Sequence, residues 1–128
     1  MEGLRNGVFI TFSGNCRKAL TFYQACFGGT LHFEMLKNNI CGTVDVPVVS
    51  ASLNAPDILI YGSDLVHDEG RKIGNYVAVF LKCTNIAHRN RLVRKLVAGR
   101  LSSVIRNNEE DKLIEVADVF DVRWILGI

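Results

Sequence analysis

The sequence is poor in proline. There are only two prolines in 128 residues and no low-complexity stretch, which excludes a disordered or linker-like composition. The formal charge of +2 is too small to imply nucleic acid or an acidic partner. No apolar run approaches the length that spans a bilayer, and the N-terminus lacks an apolar stretch with a cleavage site. The expectation is a cytoplasmic protein without membrane or nucleic-acid partners. Cys16, Cys26, Cys41 and Cys83 form no Cys-x-x-Cys pair, so neither a zinc knuckle nor a dithiol redox motif is written here. They read as small buried hydrophobes.

What is present is a hydrophobic fraction of 48%, at a length that suits one domain. Val8 to Phe12 reads as a strand, Ser13 and Gly14 as a turn, and Asn15 as a helix cap. Ala19, Leu20, Phe22, Tyr23, Cys26 and Phe27 then repeat at helical spacing, and Gly28 and Gly29 stop the helix. Strands follow at Thr30 to Lys37, Val46 to Leu53 and Ile58 to Tyr61, with Asn38 and Asn39 as a turn. Gly62 to Asn75 is polar and aperiodic, a linker. The order then repeats: a strand from Tyr76 to Lys82, a cap at Thr84 or Asn85, and a helix face of Ile86, Leu92, Val93, Leu96 and Val97 ended by Gly99. Strands at Leu101 to Ile105, Leu113 to Ala117 and Val122 to Leu126 complete it, with Asn107 to Asp111 as a turn. Asn15 and Asn85, Gly29 and Gly99, and Leu31 and Leu101 all stand seventy positions apart, which indicates a duplicated unit. The fold class is α+β: two βαβββ modules, about 1–65 and 75–128, joined by a linker at about 66–74, with curved mixed or antiparallel sheets that form a cleft.

Gly14, Asn15, Ala19, Leu20, Phe22, Tyr23, Phe27, Gly28 and Gly29 resemble the opening of the PhnB-like branch of the vicinal oxygen chelate superfamily, which holds glyoxalases, bleomycin-resistance proteins and extradiol dioxygenases. Asp118 to Trp124 (DVFDVRW) is similar to that branch's Asp-x-Phe-Gly-x-x-Trp, with Asp121 where Gly is usual. The resemblance implies the glyoxalase/bleomycin-resistance fold and a homodimer. It also implies a divalent metal held by His, Gln and Glu, at positions that fall on Val8, Ala78, Ile60 or Tyr61, and Ile125. Apart from Tyr61, none of these is a metal ligand. The branch's His-Ala-Glu-Leu is here Ser50, Ala51, Ser52 and Leu53, so imidazole and carboxylate have become hydroxyls. His32, His67 and His88 lie apart, with no acidic residue spaced to join them. No metal and no other cofactor is expected, and the methyltransferase name often attached to the branch gains no support because no glycine-rich loop opens a helix.

If Val8 and Ala78 face the cleft, alternation brings Ile10, Phe12, Phe80 and Lys82 to the same side, joined by Ser50, Ser52, Ile60, Arg123 and Ile125. The candidate ligand-binding residues are Phe12, Ser50, Ser52, Phe80, Lys82 and Arg123, an apolar lining with two hydroxyls and two cations. That lining suits an organic, anionic small molecule, and no catalytic residue is assigned. Trp124 is expected on the opposite face, packed on a helix, and Glu115 at an exposed strand position. His88, Arg89, Arg91, Arg94 and Lys95 read as a solvated helix face. The function expected is a metal-free small-molecule binder. The alternatives are a metal-dependent lyase, isomerase or dioxygenase, and a degenerate dimeric interaction protein.

Overall fold

The computed structural model describes residues 5–35, 47–65, 71–100 and 112–128. The chain divides into two compact units, Met1–Lys72 and Ile73–Ile128. The first contains β1 (Val8–Thr11), α1 (Cys16–Phe27), β2 (Thr30–Met35), β3 (Val48–Asn54) and β4 (Leu59–Ser63). Its sheet has the order β1-β4-β3-β2, with β1 and β4 parallel and the other pairs antiparallel. The second contains β5 (Val79–Lys82), α2 (Ile86–Leu96), β6 (Leu113–Ala117) and β7 (Arg123–Gly127), in the sheet order β5-β7-β6 with β5 and β7 parallel. Both sheets are mixed. The expected strand at Leu101 to Ile105 and the turns at Asn38–Asn39 and Asn107–Asp111 lie outside the described residues.

Helix α1 forms because Cys16, Ala19, Leu20, Tyr23 and Cys26 recur on one face, and all five are buried. Its N-terminus is not capped as expected. Asn15 holds the cap position without a side-chain cap bond. The carboxylate of Asp64, just past β4, does that work instead. Its Oδ1 accepts from the N–H groups of Gly14 and Cys16, each at 2.9 Å, while Oδ2 accepts from Val48 N–H at 2.9 Å. One side chain thereby ties the helix start to the ends of two strands. Helix α2 is capped locally: Asn85 Oδ1 accepts from His88 N–H at 2.8 Å, and His88 Nδ1 accepts from Thr84 N–H at 3.1 Å, a reciprocal arrangement of the capping-box kind. Arg89, expected on the solvated face of α2, is fully buried, whereas Arg91, Arg94 and Lys95 are exposed.

The glycine pair ends α1 with φ values of 74° and 97° at Gly28 and Gly29. Gly29 is constrained twice, since a Cβ there would also come within 2.4 Å of the Asn54 carbonyl oxygen. The stretch read as a linker begins later than expected, because Gly62 and Ser63 belong to β4.

The DVFDVRW segment is the turn that closes the β6–β7 hairpin. Asp118 is fully buried, and its carboxylate accepts from Phe120 N–H at 2.8 Å, Val122 N–H at 3.1 Å and Trp124 Nε1–H at 2.8 Å. Trp124 is itself fully buried, so the aspartate holds the turn and satisfies the indole together. Asp121 takes a positive φ of 65°, the conformation in which the resembling pattern has glycine. Its N–H donates to the Asp118 carbonyl at 3.1 Å, and its carboxylate lies 3.3 Å from Arg100, whose Nη1 also donates to that carbonyl at 2.7 Å.

Candidate functional site

Residues paired side by side in a sheet point to the same face, so the register separates helix-covered from helix-free side chains. In the first unit Gly62 marks the covered face, because a Cβ there would lie 3.0 Å from Cys16 Sγ and 3.1 Å from Leu20 Cδ2. Ile10 and Ala51 are its partners, and Val8, Ile60 and Leu53 follow by alternation. Phe12 belongs there too. It is fully buried, 3.2 Å from the same built Cβ, with the Arg71 guanidinium 5.5 Å from its ring.

The opposite face carries Phe9, Tyr61, Ser52, Ser50, His32 and Glu34, since Phe9 pairs with Tyr61, Tyr61 with Ser52, Ser52 with His32 and Ser50 with Glu34. The expectation for Val8, Ile10, Phe12 and Ile60 is therefore corrected: they face α1, and Phe9 and Tyr61 take the helix-free side with Ser50 and Ser52. The slip has a local cause. Residues 12–15 join β1 to α1, but only residues 83–85 join β5 to α2. The helix starts are seventy positions apart and the strand starts, Val8 and Val79, seventy-one. An offset taken from the helices matches residues on opposite faces of the strands.

The second unit keeps the expected facing. Leu81, Ile114, Val116, Trp124 and Leu126 are buried. The other face presents Phe80, Lys82, Arg123, Ile125, Glu115 and Leu113. Phe80 pairs with Ile125 as Phe9 pairs with Tyr61, and its ring lies across Gly127 beside Leu113. Arg123 donates to Glu115 Oε1 and to the Asn75 carbonyl, so its charge is already engaged within the unit. Lys82 is the remaining cation on this face among the described residues.

Polar groups on the first sheet are similarly tied. Ser50 donates to Glu34 Oε2 at 3.2 Å, and Tyr61 donates to the Arg5 carbonyl at 2.9 Å while accepting from Arg5 N–H at 3.2 Å. His32 and Glu34 share one face at a two-residue spacing on β2, a juxtaposition legible in the alternation of Thr30 to Met35 that treating the histidines singly misses. Among the described residues no three His, Cys, Asp or Glu side chains come together. His67 lies outside the described residues. The surroundings of Cys16 and Cys83 favour the protonated thiol. Burial first, then the charge of Asp64, pushes Cys16 from 9.0 up to about 12, and burial also raises Cys83, against a lowering by Arg89. No helix among the described residues is long and apolar enough to cross a membrane.

No sequence-family profile and no curated protein sequence matches the chain. Solved structures do. Protein PA1353 from Pseudomonas aeruginosa is 22% identical with a TM-score of 0.75, covering 98% of this chain and 97% of that one. The PhnB protein from Bacillus cereus is 16% identical with a TM-score of 0.71, covering 97% and 98%. A variant of the fosfomycin resistance protein FosX from Listeria monocytogenes, solved with Mn(II) and dihydroxypropylphosphonic acid, is 10% identical with a TM-score of 0.61, covering 99% and 92%. Over nearly its whole length, the chain has the glyoxalase/bleomycin-resistance fold of the PhnB-like and FosX proteins of the vicinal oxygen chelate superfamily.

Proposed function

We propose that the protein binds a small organic molecule against the helix-free face of a sheet and does so without a metal ion. The observation that carries this reading is the pair Phe9 and Phe80, large aromatic side chains left 61% and 59% exposed at equivalent edge-strand positions. Exposed aromatic surface on a sheet face suits a ligand with an aromatic or aliphatic body, and on the second sheet Lys82, which shares its face with Phe80, would meet an anionic group. The donor set argues against a divalent ion. Where β1 and β4, and β5 and β7, lie side by side, the helix-free pairs are Phe9 with Tyr61, Thr11 with Ser63, Phe80 with Ile125 and Lys82 with Gly127. Their side-chain oxygens are hydroxyls, poor ligands for such an ion: that of Tyr61 is bonded to Arg5, that of Ser63 accepts from Leu65 N–H at 3.0 Å, and Thr11 carries the third. The fold's usual metal chemistry therefore has no fitting ligands at these paired positions, and no reaction step is assigned. A homodimer and a cytoplasmic location complete the proposal; the buried thiols of Cys16 and Cys83 suit a reducing compartment.

The test is a thermal-shift screen of metal-stripped protein against divalent ions and a panel of aromatic and anionic compounds, fosfomycin among them. A compound that raises the melting temperature should lose its effect in Phe9→Ala or Phe80→Ala, and an anionic one should weaken about tenfold in Lys82→Ala, the scale of one charge-assisted contact. A rise of several degrees with manganese, nickel or zinc would overturn the metal-free reading. Sedimentation velocity reads the oligomeric state.

A further inference from the structure

The segment ahead of β1 is bound in a way that the sheet itself does not require. Arg5 is latched through main chain and side chain at once. Its N–H donates to the Tyr61 hydroxyl at 3.2 Å and its carbonyl accepts from that hydroxyl at 2.9 Å, while its guanidinium donates to Asn54 Oδ1 and to the Ala55 carbonyl at 3.5 Å. Gly7 is pressed against β4: a Cβ there would stand 2.3 Å from the Leu59 carbonyl oxygen, so only glycine lets the backbones approach this closely. Leu59 lies two residues before Tyr61 on the same strand face, and it is buried, at 5% exposure, although that face carries no helix. Gly7 lies against the Leu59 main chain at this end of the sheet. Tyr61 reaches Arg5 from the same side.

We infer that residues 5–7 form a strap across one end of the helix-free face of the first sheet, and that the Tyr61 hydroxyl is its latch. The strap limits how far a ligand can extend over Phe9 and Tyr61 toward Leu59. Tyr61 then plays two parts: its ring belongs to the face, and its hydroxyl is spent on holding the strap rather than left for a ligand. The inference rests on the proposed ligand face for its consequence but not for the strap itself. Two latches act in parallel, the hydroxyl on the Arg5 main chain and Asn54 on its guanidinium. Loss of either should loosen the segment without removing a core side chain.

Trypsin reads the strap directly, since the bond after Arg5 is cleavable only when the segment lifts from the sheet. Full-length wild type, Tyr61→Phe and Asn54→Ala would be digested under native conditions, with loss of the N-terminal peptide followed by intact mass. The same three proteins would be titrated with anilinonaphthalene sulfonate, an aromatic anion, as the probe. Cleavage after Arg5 about tenfold faster in both variants, with tighter probe binding by about threefold or more, is the expected result. Unchanged cleavage in both variants would overturn the strap. Faster cleavage with unchanged probe binding, including no binding by any of the three, would overturn its control of the face. Failure of the ligand reading shows separately, as a compound response that survives Phe9→Ala and Phe80→Ala.

Discussion

At the scale of single residues, the second half of the resemblance is explained by hydrogen bonding. Asp118 is buried and accepts three bonds, so Asp118→Ala would strand two main-chain N–H groups and the Trp124 indole. The expected loss is about 3 kcal/mol or more, read as the shift of the urea midpoint. Three residues on, Asp121 keeps the conformation that suits glycine at the cost of a left-handed backbone, offset in part by Arg100. Asp121→Gly should be nearly neutral or slightly stabilising, whereas Asp121→Val should cost about 1–2 kcal/mol, since a β-branched residue resists that region. Equilibrium melts of the two variants separate the outcomes. Cys16 carries a pH consequence. Its pKa in the folded chain is raised from 9.0 to about 12, so the unfolded chain loses the proton first. This contribution to stability is complete below pH 9 and is lost as pH rises toward 12. Denaturant midpoints should fall between pH 8 and pH 10.5, with a shallower fall in Cys16→Ala. The peptide bearing Cys16 should resist iodoacetamide in native protein at pH 8.

At the scale of elements, the two helices are alike in pattern and unlike in how they start. Asn15 was the natural cap from its place before an apolar repeat, yet its Oδ1 is buried and has no hydrogen-bond partner among the described residues, while Asp64 supplies the acceptors. The prediction is an ordering. Asp64→Ala should cost about 2–4 kcal/mol because it strands three N–H groups. Asn85→Ala should cost about 1 kcal/mol as the loss of an ordinary cap, and Asn15→Ala close to nothing. If chemical denaturation finds Asn15→Ala the most damaging of the three, the capping assignment is wrong. The end of α1 was legible, since two adjacent glycines after an apolar repeat mark a left-handed stop. What sequence could not show is that Gly29 also lies against the Asn54 main chain, and Gly29→Ala should cost more than about 2 kcal/mol for both reasons. Arg89 was misread because it was placed by its charge, although it stands with Leu92, Val93 and Leu96 at the i, i+3, i+4 and i+7 positions of one buried stripe.

At the scale of the whole molecule, the proposed metal-free reading predicts that exhaustive dialysis against a chelator leaves the melting temperature within about one degree, because no part of the fold would depend on a bound ion. Differential scanning fluorimetry before and after dialysis checks it. The sequence by itself determined the order of the described elements and the apolar stripes of the helices, because these are written in local periodicity and in glycines a few residues apart, and its resemblance to the PhnB-like opening carried the identity of the fold. The candidate site was legible only in part. Ser50, Ser52, Phe80, Lys82 and Arg123 stand on the helix-free faces as alternation implied, while Phe12 lies under α1 and Phe9 and Tyr61 stand in its stead. A strand's alternation fixes which residues share a face but not which face is covered. One residue more in the loop between β1 and α1 reverses that choice, and only the packed helix reveals it. The same holds for Asp64 on α1, for Glu115 on Arg123 and for the hold of Tyr61 on Arg5, each joining residues far enough apart in the chain that local pattern carries no trace of it.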